Sequence, residues 1–126
     1  MKKEKFVLEF VFDRGSINNL WTRLATPGGL AEWFADEVIE AGNMYSFYWD
    51  GYPSEAELVG TIPLTYIRFH WVEDTPDTYF EFRLHKDELT GGIMLEITDF
   101  AEPDEKEHSI TLWETQVKDL RRKLGI

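Results

Sequence analysis

Histidine side chains with nearby acids are the first groups in this sequence that could do chemistry, as ligands for a metal ion. The three histidines are His70, His85 and His108, and the last lies close to Glu105 and Glu107. Histidines in exposed strands are common, however, and this spacing is not that of a zinc motif. We therefore predict no metal site and no cofactor.

Tyrosine hydroxyls are the second group with chemical potential. Tyr45, Tyr48, Tyr66 and Tyr79 fall in segments with the alternation of strands, where tyrosine more often packs its ring than acts as an acid. The sequence also has no cysteine, glycine-rich phosphate loop, nucleophile elbow or metal-binding helix motif. No catalytic residue is predicted, since an enzyme on a hydrophobic substrate would need a buried carboxylate or histidine with a shifted pKa beside a cavity.

Charge argues against two classes of partner. The 126 residues include 24 acidic and 13 basic side chains, a formal net charge of -11. Such a field repels phosphate backbones and anionic headgroups, so we predict neither a nucleic-acid partner nor a membrane surface. No segment approaches the roughly 18 apolar residues of a membrane span, and the N-terminus lacks the apolar core of a secretory signal. A cytoplasmic protein is expected, and the oligomeric state is left open.

Large aromatic residues are the feature that favours ligand binding. The candidates for a cavity lining are Trp33, Phe34, Phe47, Trp49, Phe69, Trp71, Phe80, Phe82, Trp113 and Val117. Ligand pockets are lined mostly by apolar and aromatic side chains with a few polar groups. Taken singly, each of these residues is expected to fill the core. As a set they predict a binding cavity, which in so short a chain is small or collapsed.

Apolar periodicity predicts the elements that must bring these rings together. Alternation over residues 5–12 indicates a first strand. Six more strands are predicted over 37–40, 44–49, 56–62, 66–72, 78–85 and 92–99. The connections between these six are short and rich in glycine, asparagine, aspartate and proline, which favours antiparallel neighbours.

Two short helices are predicted between the first and second strands. Ser16 is placed to cap the first, and Thr26 with Pro27 is placed to begin the second, over about 27–35. Leu30, Trp33 and Phe34 lie on one stripe of the second helix. We expect these three side chains to close one end of the cavity.

A long helix is predicted at the C-terminal end. Apolar residues from Ile110 to Leu124 recur at steps of three and four, and Gly125 is placed to end the helix. The basic residues in its last turns are expected to complement the helix dipole. Its apolar seam requires a broad apolar surface to cover.

The sheet is predicted to have one apolar and one polar face. Alternation places Phe69 and Phe82 on the apolar face and Arg68, Glu81, Arg83, Glu96, His70 and His85 on the polar face. Arg68 with Glu81, and Arg83 with Glu96, are expected to form cross-strand charge pairs. The sequence thus predicts an α+β fold in which a curved antiparallel sheet of about seven strands wraps around the C-terminal helix.

This order of elements resembles the START-like superfamily with the helix-grip fold, also called the birch-pollen-allergen-like or SRPBCC group. The matching segments are LWTRLATP (20–27), LAEWF (30–34), FHW (69–71), LEITDF (95–100) and the apolar pattern of the last helix from Trp113 to Leu124. Within the superfamily, the sequence is most similar to the branch related to activators of the 90-kDa heat-shock protein ATPase.

The resemblance covers nearly the whole chain and implies a single START-like domain over residues 1–126. It implies a small hydrophobic or aromatic ligand in the cavity between the sheet and the C-terminal helix. The alternative is a protein-interaction module of the chaperone-ATPase-activator type, with a protein as partner. An enzyme acting on a hydrophobic substrate is the third hypothesis.

Overall fold

Seven strands form one antiparallel sheet in the order β1-β7-β6-β5-β4-β3-β2. The computed structural model of the chain describes residues 2–126, so residue 1 of the predicted domain lies outside the described part. The strands are β1 (Glu4–Phe12), β2 (Glu37–Ala41), β3 (Met44–Trp49), β4 (Tyr52–Ile62), β5 (Tyr66–Trp71), β6 (Phe80–Lys86) and β7 (Ile93–Ala101). The α+β helix-grip fold predicted from the sequence is confirmed.

The largest difference from the predicted strands is the start of β4, which begins at Tyr52 rather than at residue 56. Asp50 and Gly51 both adopt positive φ angles, 53° and 83°. Two successive residues in this region form the tight turn that matches the twist of a hairpin. Trp49 therefore pairs directly with Tyr52, and β3 and β4 form one long hairpin.

Three helices accompany the sheet: α1 (Ile17–Ala25), α2 (Pro27–Leu30) and α3 (Lys106–Leu124). The predicted caps are confirmed, because Ser16 Oγ accepts from the Asn19 N–H at 3.2 Å and Thr26 Oγ1 accepts from the Gly29 N–H at 3.0 Å. Within residues 2–126, none of the helices is long and apolar enough to cross a membrane.

The second helix is shorter than predicted, ending at Leu30 rather than near residue 35. The Phe34 carbonyl accepts side-chain hydrogen bonds from Trp49 Nε1 and Gln116 Nε2, each at 2.9 Å. Those bonds tie the segment to β3 and α3 in place of a further helical turn. A Cβ on Gly29 would collide with the backbone oxygen of Thr22, so glycine lets α2 pack closely on α1.

The inner face of the sheet is covered by α3 and by the segment after α1. Trp113, Val117 and Leu120 are the buried residues of α3. The helix ends where predicted, with Gly125 in the left-handed region at φ 73°. Its last turn carries basic residues as expected, and one of them, Arg121, donates to the Val11 carbonyl at 2.7 Å.

The outer face carries the predicted charges, with one change in partners. Arg68 lies opposite Glu81 and bonds to it, as expected. Arg83 lies opposite Glu96, but its guanidinium bonds to Glu81 instead. Glu81 lies on the same face of the same strand, two residues away, and Glu96 instead pairs with His85.

Candidate functional site

The ten residues predicted to line a cavity lie on the inner side of the sheet, on α3 or on the segment after α2. Eight of them are buried and two are half-buried: Trp33, Phe34, Phe47, Phe69, Phe80, Phe82, Trp113 and Val117 in the first group, and Trp49 and Trp71 in the second. The structure thus brings the predicted set together in one cluster.

Phe34 lies at the centre of the aromatic cluster. Its ring stacks on that of Trp113 with a centroid separation of 5.6 Å and an interplanar angle of 11°. It meets the rings of Phe47 and Trp49 edge-on at 5.2 Å and 5.3 Å. These separations are those of packed aromatic pairs, so the space between sheet and helix is occupied by side chains.

Trp71 connects the aromatic cluster to the surface. Its ring stacks on that of Phe80 at 4.8 Å, and the opposite side of the residue borders a cleft of about 370 Å³. Lys3, Pro53 and Asp74 also line this cleft. A molecule bound in the cleft would therefore touch the edge of the buried aromatic cluster.

Asp99 is a polar group on the inner face that the sequence analysis did not single out. Its Oδ2 atom accepts from Trp113 Nε1 at 2.8 Å, and its Oδ1 atom accepts from the Phe100 N–H at 2.8 Å. Burial raises the pKa of Asp99 above its ordinary value of 3.8, against the opposing effect of these two hydrogen bonds. It is thus a half-buried carboxylate with a raised pKa, hydrogen-bonded to a ring of the aromatic cluster.

Lys3 and Asp74 form an ion pair close to Asp99. Their Nζ and Oδ2 atoms are 2.7 Å apart, and both charges act on the carboxylate of Asp99. Burial opposes the ionisation of Asp74, but hydrogen bonds from Lys3 and from the Thr75 N–H outweigh it and lower its pKa. Lys3 and Asp74 also line the cleft.

The sequence carried a signal for Asp99. In LEITDF, Leu95, Ile97 and Asp99 have the same strand parity, and the first two are buried on the inner face. The predicted strand, 92–99, already contained Asp99, but the inner face was assigned from apolar side chains alone, so the carboxylate was not placed on it. In the structure β7 continues to Ala101.

The tyrosines do not form an acid catalyst at this site. Tyr45 is buried, and its hydroxyl donates to Glu40 Oε2 at 2.9 Å. Burial, with the nearby Glu40, raises the pKa of Tyr45 to about 12. Tyr66 and Tyr79 lie on the outer face, where their rings contact arginine side chains.

The histidines lie apart from the aromatic cluster. On the outer face, His70 Nδ1 is 2.8 Å from the Thr78 carbonyl oxygen, and His85 Nε2 is 3.1 Å from Glu96 Oε1. His108 is an exposed residue of α3. In the part of the chain that the structure describes, no three acidic or histidine side chains come together as a metal site would require.

Comparison with known proteins identifies the family. The model of the START-like superfamily domain matches residues 1–126. The chain belongs to the START-like superfamily. A search of curated proteins finds no relative that matches it.

Solved structures with the same fold include a START-like neighbour of substantial sequence identity. A Bacteroides fragilis protein solved by solution NMR is 42% identical, with a TM-score of 0.69 over 98% of this chain and 92% of the other. The Aha1 dimer of Colwellia psychrerythraea is 19% identical, with a TM-score of 0.81 over 98% and 97% of the two chains. At 19% identity the second similarity shows the fold alone.

A third similar structure is larger than this chain. DynU16, from the dynemicin biosynthetic locus, is 17% identical, with a TM-score of 0.79 over 96% of this START-like chain. The match covers 47% of DynU16. At this identity the similarity shows the fold alone.

Proposed function

We propose that this START-like domain, spanning residues 1–126, binds a small hydrophobic or aromatic molecule between the sheet and α3. The single observation that carries the proposal is the position of Trp71, which borders the surface cleft and stacks on buried Phe80 at 4.8 Å. An apolar ring entering from the cleft gains contact with aromatic faces as it leaves water. The site residues are those of the aromatic cluster together with Val117.

Binding requires side chains to move, because rings occupy the interior. Phe34 is the central ring, and it lies in the irregular segment between α2 and β2 rather than in a helix or strand. The Phe34 N–H donates to the Leu30 carbonyl at 2.9 Å, so the backbone here is held by turn hydrogen bonds and the movement required is that of the side chain. The ligand would take space that Phe34 occupies against Trp113, Trp49 and Phe47.

Saturable binding of an apolar aromatic probe tests this function. Naphthalene binding to the intact chain is followed by isothermal titration calorimetry and by the rise in melting temperature that a ligand of the folded state produces. Trp71→Leu removes the ring shared by cleft and cluster, and it should weaken binding several-fold. Tyr52→Leu is the control, because that side chain is 78% exposed on the neighbouring hairpin.

Two results would contradict the proposal. The first is the absence of saturable binding by the wild-type chain across naphthalene and a broader panel of metabolites and lipids. The second is equal weakening by Trp71→Leu and Tyr52→Leu. Either result would show that the aromatic cluster does not bind the ligand.

A protein-interaction module is the second candidate function, favoured by the similarity of fold to the Aha1 dimer. The basic last turn of α3 is the contact to test. Arg122 is largely exposed and pairs with Asp119 on its own helix, whereas Arg121 is bonded to β1 and lies over the Phe12 ring. If the last turn contacts a purified chaperone ATPase, Arg122→Glu weakens binding and the weakening diminishes at high salt.

Absence of binding to the purified ATPase, or binding that Arg122→Glu does not weaken, would exclude this contact.

The cytoplasmic location expected from the sequence stays a prediction.

A further inference from the structure

Asp99 occupies an unusual position for a carboxylate. It lies on the inner face of β7, directly opposite Phe6 of β1, and its same-face neighbours along the strand are Ile97 and Ala101, both buried. A carboxylate held among apolar groups loses hydration, and that loss is costly unless donors replace the water. Asp99 is therefore stabilised by hydrogen-bond donors that replace the lost water.

The donors that Asp99 has in residues 2–126 are both uncharged. They are the indole N–H of Trp113 and the backbone N–H of Phe100, each at 2.8 Å. A carboxylate has about four acceptor sites, so acceptor capacity is left over. The Lys3 ammonium, which acts on Asp99 through its charge, is bonded instead to Asp74 at 2.7 Å.

The hydrogen bond from Trp113 places this carboxylate at the edge of the aromatic cluster. The Trp113 ring stacks on Phe34 at 5.6 Å and meets Phe82 edge-on at 5.7 Å. A ligand that packs its apolar body against these rings therefore lies within reach of the indole nitrogen and its acceptor. Lys3 and Asp74, whose charges act on Asp99, line the cleft beside Trp71.

We propose that Asp99 determines which molecules the site accepts, by favouring an aromatic or apolar body that carries a hydroxyl or amino group. The carboxylate accepts a hydrogen bond from that group while the rings contact the body. This inference rests on the proposed ligand-binding function and names the class of its ligand. Asp99 is a specificity-determining residue here, and no covalent step is assigned to it.

The experiment compares two probes that differ in one hydrogen-bond donor. 2-Naphthol has a hydroxyl donor, whereas 2-methoxynaphthalene keeps the oxygen and lacks the donor. A hydrogen bond to a charged group is strong enough for the wild-type chain to bind 2-naphthol about tenfold more tightly. Dissociation constants are measured by isothermal titration calorimetry at neutral pH.

Variants of the intact chain separate recognition by Asp99 from general effects. Asp99→Leu should abolish the preference between the probes, and Asp99→Asn should reduce it because a neutral amide is a weaker acceptor. Asp13→Asn makes the same charge change in an exposed loop at the opposite end of β1, and it should keep the preference.

Each other outcome overturns the inference. Equal affinity of the wild-type chain for the two probes overturns it and leaves the proposed function intact, whereas failure to bind either probe overturns both. A preference that survives unchanged in Asp99→Asn overturns it even if Asp99→Leu does not fold.

Discussion

Glu81 of β6 and Asp99 of β7 are carboxylates on neighbouring strands but on opposite faces of the sheet. The two faces shift the pKa of a carboxylate in opposite directions. Glu81 on the outer face is 4% exposed and bonds to both Arg68 and Arg83. Burial opposes its ionisation, but hydrogen bonds from the two arginines outweigh burial and lower the pKa of Glu81. On the inner face, burial dominates and raises the pKa of Asp99.

The pKa values of Glu81 and Asp99 shift in opposite directions because their hydrogen-bond donors differ, rather than because of how deeply each carboxylate is buried. Each arginine beside Glu81 is also held by a tyrosine ring, with Arg68 over Tyr79 at 4.1 Å and Arg83 over Tyr66 at 4.5 Å. Glu81 therefore has a full structural role in the folded chain. Among residues 2–126, Asp99 has neutral donors alone, which leaves it able to bind a further donor from a ligand.

Phe34→Ala should cause the largest effect, because the inner face is stabilised by rings rather than by charges. Truncation of a buried phenylalanine typically costs about 3–5 kcal/mol of unfolding free energy. The measurement is denaturant unfolding at neutral pH. Leu89→Ala, at a residue that is 96% exposed, should change the unfolding free energy by less than about 0.5 kcal/mol. Similar small effects at both positions would disprove the packed interior.

Glu81→Gln should destabilise the chain by about 2 kcal/mol near neutral pH, since it removes charge-assisted hydrogen bonds from two arginines. A lowered pKa in the folded state stabilises the fold above the unfolded pKa, and this stability is lost as the pH falls through the folded pKa. The difference between variant and wild type should therefore shrink below the ordinary value of 4.5.

Urea unfolding at pH 7 and at a series of lower pH values measures the Glu81 effect. Glu57→Gln is the matched control on the outer face, because Glu57 is exposed and lies opposite His70. A difference for Glu81→Gln that is constant with pH would show that the arginines do not lower its pKa.

Asp99→Asn should show the opposite pH dependence, with a smaller magnitude. A raised pKa in the folded state gives stability that is fully present below the unfolded pKa and lost as pH rises through the folded pKa. The variant lacks this loss, so its stability relative to wild type should improve with rising pH. The same urea series measures the change, and a relative loss of stability with rising pH would contradict the assignment.

His85→Ala should have the smallest effect of the series. The His85–Glu96 pair has partly exposed side chains on the outer face, and such pairs contribute less than about 1 kcal/mol. Urea unfolding at pH 5 and pH 8 should give differences below about 0.5 kcal/mol at both values. A larger difference in unfolding free energy at pH 5 would show that the His85–Glu96 pair stabilises the fold as strongly as the ion pairs of Glu81.

Periodicity predicted most of the fold because a strand or helix that is buried on one face has apolar residues at a regular spacing in the sequence. The caps at Ser16 and Thr26, the antiparallel pairing of successive strands from β2 to β7 and the end of α3 at Gly125 follow from local chemistry that the sequence displays. The early start of β4 depends on positive φ angles at Asp50 and Gly51, and the sequence alone did not show that both adopt them.

The candidate site was predicted less completely than the fold. Aromatic residues identified the inner surface, but their mutual packing depends on side-chain rotamers, so the sequence could not show that Phe34 fills the centre. Asp99 lies within the predicted strand 92–99, but it was missed because the inner face was assigned from apolar side chains and charged residues are almost never expected there. Arg83 bonds to Glu81 rather than Glu96 because both arginines converge on one carboxylate, a three-body arrangement that pairwise cross-strand reasoning does not capture.

Chemical-shift mapping of the intact, isotope-labelled chain during titration with 2-naphthol tests the central claim most directly, because it shows which face of the sheet receives an apolar ligand. The account predicts saturable shifts at the Trp71 and Trp113 indoles and at the Phe34 ring, with the side chains of Arg68 and Arg83 unchanged. Shifts confined to the outer-face arginines and tyrosines, or no saturable shift at any tryptophan, would contradict it.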